Sequence, residues 1–340
     1  MTTKSLKDHL LWRELERVPD VVEAVVQRFA SPDAALREVI DIARDAERVV
    51  VTGNGAAFYA GLALQSAARL MRRGPSVCAV SAGVVAAGGF VWRAGDLPLI
   101  ISASGELGDM VDAMAAGIIP DPIVLTATPE SSLAKCASAT IVVTVFDSDA
   151  VTHTQAYIAN VLTSLLFWEA VTGEELPLDA ATLPTRLRAS LCDAGEWAVE
   201  AASLVDHRRA GIVLASSSGW STALQTALLM KEVAGLTVEG LESREAATTG
   251  MYALTPDHLV LSHAVAGDAQ AGEAERVCGS QGALVIRLPE PPSTTFLELP
   301  ITAFPASVAL AAELGLRRGR DIDNPRWASA YYTTARTQGA

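Results

Sequence analysis

The spacing of apolar residues changes along the chain, and these changes predict the elements of the fold. Over residues 5–46 the apolar positions recur at helical intervals, Pro19 divides two helical pieces, and Asp33 is placed as an N-cap. From residue 48 onward, short β-branched runs alternate with helical stretches. This alternation is typical of βαβ units, whose strands form parallel sheets.

Each half of the chain carries its own series of candidate strands. In the first half we predict strands over residues 48–52, 76–80, 97–102, 122–127 and 139–145. In the second half we predict strands over residues 211–215, 236–239, 258–262 and 283–288. Because the second series repeats the first, we expect an α/β protein with two tandem three-layer αβα lobes, each with a parallel sheet.

The expected domain boundaries follow changes in composition, and a Pro-bearing stretch over residues 174–187 is a candidate linker. The expected parts are an N-terminal helical arm (1–46), a first lobe (47–175), a linker with a bridging helix (176–206), a second lobe (207–316) and a C-terminal tail (317–340).

The most informative stretch is the apolar run at residues 97–101 and the turn that follows it. Ser102, Ser104 and Gly105 come where a buried strand ends and a helix is predicted to start near Glu106. Strand ends and helix N-termini of this kind bind anionic ligands through backbone N–H groups. An ordinary N-capping serine is the alternative.

Composition narrows the classes of function. The 340-residue chain is half apolar, 5% aromatic and carries a formal net charge of −13. An acidic surface argues against nucleic-acid and anionic-membrane partners. Four scattered cysteines give neither a metal-binding spacing nor a disulfide framework, and the polar N-terminus does not look like a signal peptide. We therefore expect a cytoplasmic protein with no metal site and no transmembrane helix.

Five stretches resemble the sugar isomerase (SIS) family in type and in order along the chain. They are Glu-Leu-Glu-Arg-Val-Pro at 14–19, Ser-Ala-Ser-Gly-Glu at 102–106, Val-Thr-His-Thr-Gln-Ala at 151–156, Ala-Leu-Gln-Thr-Ala-Leu-Leu-Met-Lys-Glu at 223–232 and Arg-Gly-Arg-Asp-Ile-Asp-Asn-Pro-Arg at 318–326. The set resembles a tandem SIS protein, similar to the isomerase half of glucosamine-6-phosphate synthase and to related deaminases and ketose/aldose isomerases.

This resemblance implies aldose–ketose isomerisation through an enediol, with Glu232 as the proton shuttle. The alternative for Glu232 is an exposed charge on an amphipathic helix. The resemblance also implies a homodimer that binds a small sugar, with no cofactor.

Several family residues are replaced in this chain. Ala56 and Ala57 stand where the family has a Thr-Ser pair, and Leu107 stands where it has Thr. Hydrogen bonds to an oxyanion contribute about 1.5–3 kcal/mol each, so phosphate binding should weaken. We therefore expect an atypical substrate, such as a sulfonated or unphosphorylated sugar.

The groups that open the sugar ring also differ. Thr248 or Thr249 replaces the family's histidine, and Ala330 aligns with its tail lysine. His153 lies in the loop that contacts sugar hydroxyls in the family, and a histidine can take over ring opening near neutral pH. Alternatively, His153 is an ordinary residue at a helix N-terminus.

The remaining candidate binding residues lie on strand-end turns, on the family's loop or on the tail. They are Asn54, Gly55, Ser102, Ser104, Gly105, Glu106, Thr152, Thr154, Gln155, Ser217, Glu245, Thr249 and Trp327. Two other functions stay open: an amino-sugar deaminase or fructosamine-type deglycase that expels an amine, and a non-catalytic sugar sensor. Glu245 could equally be a surface charge.

Overall fold

A computed structural model describes residues 5–146, 149–205 and 207–325. It divides into two compact units, and each unit contains one sheet. The first-sheet unit comprises Asp20–Phe146 and Gln155–Leu176. Within the described residues, the second-sheet unit comprises 5–19, 149–154, 177–205 and 207–325.

The strands and helices have the following bounds in the described residues. The strands are β1 (Arg48–Gly53), β2 (Ser76–Ser81), β3 (Asp96–Ile101), β4 (Ile123–Thr126), β5 (Ala139–Val142), β6 (Ala210–Ala215), β7 (Thr237–Glu242), β8 (His258–His263) and β9 (Leu284–Arg287). The helices are α1 (Leu10–Glu16), α2 (Val18–Ala30), α3 (Ala34–Asp45), α4 (Ala56–Ala68), α5 (Ala82–Ala86), α6 (Gly108–Ala115), α7 (Ser132–Cys136), α8 (Thr154–Thr172), α9 (Leu183–Val205), α10 (Trp220–Glu232), α11 (Ser243–Thr248), α12 (Ala269–Ser280), α13 (Leu299–Thr302) and α14 (Phe304–Arg317).

The first sheet is parallel, with the strand order β2-β1-β3-β4-β5. Its centre is apolar, and residues 49–51 of β1 and 99–101 of β3 are almost completely buried. Such runs suit strands covered on both faces. The chain leaves β1 toward one edge of the sheet and returns through β3 on the other side, so the strand order reverses between β1 and β3. Open parallel sheets bind ligands at the carboxyl ends of strands at such a reversal.

The second sheet is also parallel, with the order β7-β6-β8-β9. This is the order of the first four strands of the first sheet, and here the reversal lies between β6 and β8. The predicted α/β class with two parallel sheets is therefore confirmed.

Several predicted boundaries were wrong by a few residues. The helix expected from Glu106 begins at Gly108, because residues 102–106 form a turn in which Gly105 takes a φ of +65°. The strand predicted over residues 139–145 ends at Val142. The α4 helix ends at Ala68, and the Arg72 N–H beyond it donates to the Glu174 carboxylate.

The N-terminal helices are divided near Pro19 and capped by Asp33, as the sequence predicts. The α1 helix ends at Glu16, and α2 begins at Val18 with Pro19 in its first turn, where proline needs no amide partner. Asp33 caps α3 by accepting a hydrogen bond from the Leu36 N–H at 2.7 Å.

One helical stretch of the described residues, Leu299–Arg317, is long and apolar enough to span a membrane. It covers α13 and α14, and 89% of its most apolar window is buried inside the structure, against α9 and α10. A helix that is apolar all round and buried among other helices is typical of a protein core.

Candidate functional site

The turn after β3 is shaped by a glycine that no other residue could replace without strain. Gly105 has a φ of +65°, and a Cβ at this position would lie 2.0 Å from the Ser131 Oγ. The turn is therefore packed closely against the start of α7, and it presents Ser102 and Ser104 at the carboxyl end of β3.

The two serines of this turn use their oxygens within the turn. The Oγ of Ser102, which is buried, accepts from the Gly105 N–H at 3.1 Å, and the Oγ of half-buried Ser104 accepts from the Glu106 N–H at 3.4 Å. A hydroxyl that accepts in this way still has its own O–H to donate. The turn can therefore offer two donors to an anionic or hydroxylated ligand.

The end of β1 lies beside this turn. Thr52 pairs with Ile100, and a Cβ on Gly53 would lie 2.9 Å from the Ile101 carbonyl oxygen. Exposed Asn54 and Gly55 follow, and Gly55 has a φ of +52° at the N-terminus of α4. The structure thus brings the predicted residues of the two turns to the reversal point of the first sheet.

The α4 and α6 helices start without the hydroxyls that the resembled family carries. Ala56 and Ala57 open α4, and Leu107 is the N-cap of α6 with a largely buried side chain. The hydrogen-bond donors that remain at this point are the backbone N–H groups and the serines of the turn.

Glu106 and Gln155 bind backbone groups of the protein itself. The Glu106 carboxylate accepts from the Ser132 N–H at 2.9 Å and so holds the start of α7. The buried Gln155 side chain accepts from the Phe146 N–H at 2.7 Å. Both side chains therefore shape the segments on which the candidate site is built.

Glu232 is the last residue of α10 and is only partly exposed. Burial raises the pKa of its carboxyl from an ordinary value of 4.5 to about 7, while Thr152 and Lys231 act to lower it. Burial is the larger of these effects, and the neighbouring Thr152 hydroxyl opposes it only in part. A carboxyl with this pKa can take up and release a proton near neutrality.

The C-terminal end of α10 is fastened by arginines of the segment after α14. The Arg320 guanidinium donates to the backbone carbonyls of Glu232 and Val233 at 3.1 and 2.9 Å, and Arg318 donates to the Ala234 carbonyl at 3.1 Å. Cations at a helix C-terminus satisfy its last carbonyls and oppose its dipole. These contacts fix the backbone that carries the Glu232 carboxyl.

The segment 149–154 carries Thr152. The two backbone amides just before Thr152 are both hydrogen-bonded to other parts of the protein. The Val151 N–H donates to the Asp323 carbonyl at 3.2 Å, and the Ala150 N–H makes a short bond to the buried Glu14 carboxylate. Asp323 in turn accepts from the Leu11 N–H at 2.9 Å. We call these contacts of Glu14 and Asp323 the loop clamp.

The three candidate residues of this segment differ in exposure. Thr152 is 6% exposed and faces Glu232, Thr154 is completely buried at the start of α8, and His153 is exposed. Thr152 is therefore the candidate that the structure brings to Glu232.

The remaining candidates of the second-sheet unit lie on its strand-end turns. Ser217 follows β6, is exposed and has a φ of +55°, which is unusual for a residue with a side chain. Thr249 donates to the Glu245 carboxylate at 2.8 Å, and both are exposed. The two side chains therefore bind each other at the end of α11, as an ordinary pair of surface residues does.

Some site features were missed by sequence reasoning. Thr126 Oγ1 donates to the Ala103 carbonyl at 3.1 Å, and Ser131 packs on Gly105 and caps α7. The hydroxyl-rich stretch around residues 126–132 was the available signal. The candidate Trp327 lies outside the described residues, as does Ala330, which aligns with the family's tail lysine. Among the described residues, no group of three His, Cys, Asp or Glu side chains could hold a metal ion.

Together, the two parallel sheets and the strand-end turns place the chain in a known fold. Solved structures with the same fold include a glucosamine-6-phosphate deaminase from Thermotoga maritima, with a TM-score of 0.75, 20% identity and coverage of 92% of this chain and 97% of that one. A tagatose-6-phosphate ketose/aldose isomerase from Escherichia coli matches with a TM-score of 0.75 and 14% identity, over 95% of this chain and 98% of that one. The fold is that of the sugar isomerase (SIS) proteins.

Sequence comparison points to the same group of proteins as the comparison of structures. An isomerising glutamine–fructose-6-phosphate aminotransferase of Streptococcus pneumoniae is 23% identical over 95% of this chain. The chain spans 58% of the length of that relative. No family model matches the sequence. The predicted resemblance to SIS-domain sugar isomerases is confirmed by these similarities in fold and sequence.

Proposed function

We propose that the protein is an aldose–ketose isomerase that acts on a hexose derivative through an enediol. The observation that carries this proposal is the Glu232 carboxyl, which is partly buried, lies beside Thr152 and has a pKa of about 7. A single carboxyl of this kind serves as base and then as acid on neighbouring carbons.

The proposed proton transfer runs as follows. The Glu232 carboxylate removes the proton from C2 of the open-chain aldose. The electrons of the C–H bond form the C1–C2 double bond, and the carbonyl oxygen at C1 takes a proton from water, giving the enediol. The same carboxyl then returns its proton to C1 while the C2 hydroxyl gives its proton to water and becomes the ketone. The two exchanges with water cancel, so substrate and product are isomers.

The other candidate residues have supporting roles in this proposal. Ser102 and Ser104 donate hydrogen bonds to a polar or anionic group of the sugar, and Asn54 and the N–H groups near Gly55 bind the same group from the neighbouring turn after β1. His153, which is exposed, is proposed to move the proton that opens the ring.

The substrate class is the finer part of the proposal. The similar proteins are named for 6-phosphate sugars, whereas Ala56, Ala57 and Leu107 remove hydroxyls at the phosphate-binding turns. We propose a hexose derivative that is bound with fewer hydroxyl donors than a phosphosugar receives in the family. An unphosphorylated or sulfonated sugar stays a prediction of the sequence. Two tandem lobes, a homodimer and a cytoplasmic location are likewise proposed by resemblance.

A second candidate function is the expulsion of an amine from an amino sugar. The observation that favours it is the Thermotoga maritima deaminase, whose TM-score equals that of the ketose/aldose isomerase. The enediol chemistry is shared, so Glu232 would carry it in both cases.

The test measures by NMR whether the C1 and C2 hydrogens of a sugar exchange in deuterated water. The sugars tested are hexoses, hexose 6-phosphates, 6-sulfonates and amino sugars. We expect exchange and ketose formation with one class, and a loss of about 10²–10⁴-fold in Glu232→Gln with substrate binding retained. Glu196→Gln, an exposed carboxylate of α9, is the matched control. Ammonia release would select the deaminase. Binding without exchange in any sugar would leave only the sensor.

A further inference from the structure

The segment that follows α14 contacts both the helix that carries Glu232 and the loop that approaches it. Arg320 donates to the carbonyls at the end of α10, whereas the carbonyl of Asp323 accepts from the Val151 N–H. The three residues of chain from Arg320 to Asp323 span at most about 11 Å. Residues 318–323 therefore join the end of α10 to the loop before α8, and we call this segment the strap.

The middle of the strap is fixed by packing and by a turn. The Ile322 side chain is completely buried, and a Cβ on Gly315 of α14 would lie 2.7 Å from its Cγ2. The Asp321 carboxylate accepts from the N–H groups of Asp323 and Asn324, at 3.2 Å each, and so closes the turn. Because the strap is a defined turn rather than an open chain, a displacement of one end is passed to the other.

The far end of the strap is held by the side chain of Asp323. One carboxylate oxygen accepts from the Leu11 N–H at 2.9 Å, in the first turn of α1, and the other lies 3.0 Å from the Nδ1 of His9, which precedes that helix. The first amides of a helix have no partner within it, and a carboxylate is favourable beside them. Asp323 therefore fastens the strap to the start of α1.

The hydrogen bond between His9 and Asp323 has a fixed direction. A carboxylate only accepts hydrogen bonds, so the Nδ1 of His9 carries the hydrogen that the two side chains share. A neutral imidazole ring with its hydrogen on Nδ1 meets this requirement, and a protonated ring meets it as well. In both states His9 donates to Asp323 and orients its carboxylate toward the Leu11 N–H.

We propose that His9 and Asp323 are positioning residues for Glu232: they hold the strap, and the strap holds the loop at the distance from α10 at which Thr152 approaches the carboxyl. The inference rests on the proposed function of Glu232. Glu14 binds the neighbouring Ala150 N–H by itself, so loss of the strap displaces the loop at its Val151 end.

The loss of this pair should change the acidity of Glu232 in a definite direction. The Thr152 hydroxyl favours the ionised carboxyl, whereas burial disfavours it. Lys231, which also favours the ionised form, is the neighbour of Glu232 on α10 and does not depend on the loop. Displacement of Thr152 should therefore raise the pKa of Glu232.

The test is an NMR titration of the Glu232 carboxyl in the full chain, labelled with ¹³C at the glutamate carboxyls. The Glu232 signal is the one that Glu232→Gln lacks. His9→Leu removes the donor to Asp323, whereas His9→Asn keeps an N–H near the position of Nδ1. Asp323→Asn keeps the shape of the side chain and an acceptor oxygen but removes the charge. The control is Asp33→Ala, which destabilises the protein by removing the cap of α3 in the first-sheet unit and does not touch the strap.

We expect a midpoint of about 7 in the wild type and in Asp33→Ala. The midpoint should be higher by about half a pH unit or more in His9→Leu and in Asp323→Asn, and His9→Asn should return it to within about 0.2 unit of the wild type. With the substrate that hydrogen exchange identifies, kcat should fall about tenfold or more in His9→Leu while KM changes little, as for a misplaced catalytic group.

An unchanged midpoint in Asp323→Asn would overturn the proposal even where His9→Leu does not fold. A shift that Asp33→Ala reproduces, or that His9→Asn does not reverse, would overturn it too, because a general loss of stability would then explain the result. The carboxyl titration needs no substrate, so it separates this proposal from the proposed function. A midpoint that moves as expected in a protein that exchanges hydrogen in no sugar would contradict the isomerase and leave the effect of the strap on Glu232 in place.

Discussion

At the scale of single residues, the pKa of Glu232 decides how the proposed activity depends on pH. The carboxyl must be ionised to remove a proton, and burial raises its pKa to about 7. We expect kcat/KM to rise tenfold per pH unit below about pH 7 and to level off above it. The prediction is checked by measuring kcat/KM as a function of pH with the substrate that the hydrogen-exchange experiment identifies. A base limb with a midpoint near 4.5, the ordinary value, would contradict it.

The same shift predicts a pH dependence of stability. Because the folded-state pKa lies above that of the unfolded chain, the folded protein binds the extra proton between pH 4.5 and about 7. The contribution of Glu232 to the free energy of unfolding is therefore greatest below pH 4.5 and is lost as the pH rises through about 7. We expect the melting temperature of Glu232→Gln to gain on that of the wild type over this range. A constant difference across it would show that the carboxyl is not buried as described.

Substitutions at two glycines with similar backbone angles distinguish the energetic cost of conformational strain from that of crowding. Gly105 and Gly117 have φ values of +65° and +69°, but a Cβ would meet the Ser131 Oγ at 2.0 Å at the first, whereas no heavy atom of the described residues lies within 4 Å at the second. We expect Gly117→Ala to cost about 1 kcal/mol from strain alone, and Gly105→Ala to cost about 3 kcal/mol or more once overpacking is added. Denaturant unfolding measures both. Equal losses of unfolding free energy in the two variants would mean that the turn after β3 accommodates an added Cβ at little cost.

At the scale of elements, apolar periodicity was enough to predict where the strands lie. Runs such as residues 48–52 and 97–102 could be recognised because strands covered on both faces need nearly continuous apolar residues. Helix starts were harder, because Gly105 holds a turn that local preference alone does not reveal. The order of strands in each sheet also depends on long-range pairing.

The candidate site could be predicted only in part, for a related reason. Turn residues such as Ser102 and Asn54 follow strands directly, so their meeting at a strand reversal follows from the fold class. The approach of Thr152 to Glu232 joins positions that are far apart in the chain. It leaves no local pattern in the sequence from which it could be predicted.

The loop clamp gives a prediction for the segment that carries Thr152. Glu14→Leu leaves the Ala150 N–H without its acceptor, so we expect a loss of about 1–3 kcal/mol in the free energy of unfolding. Since Thr152 lowers the pKa of Glu232, a displaced segment should also raise the midpoint of the activity profile. Glu38→Leu, at an exposed position of α3, is the control. A purely structural role would lower stability and leave the midpoint unchanged.

At the scale of the whole molecule, the net charge of −13 acts on any anionic ligand before it makes contact. The donors of the turn after β3 are the neutral hydroxyls of Ser102 and Ser104, which carry no charge to offset this repulsion. Raising ionic strength from about 0.01 M to 0.15 M shortens the screening length from about 30 Å to 8 Å. We expect the Kd of a phosphosugar to fall over this range and that of an uncharged sugar to stay constant, by calorimetric titration. A phosphosugar Kd that rises with salt would reveal a cationic side chain at the anion.

The loop clamp also has a consequence for how the protein folds. The amide of Ala150 is bound by Glu14, 136 positions earlier in the chain, and the amide of Val151 is bound by the distant Asp323. Each of these contacts closes a long loop, and the entropy lost in closing such a loop makes distant contacts slow to form. We therefore expect the surroundings of the Glu232 carboxyl to be completed late in folding, after the local contacts of each sheet have formed.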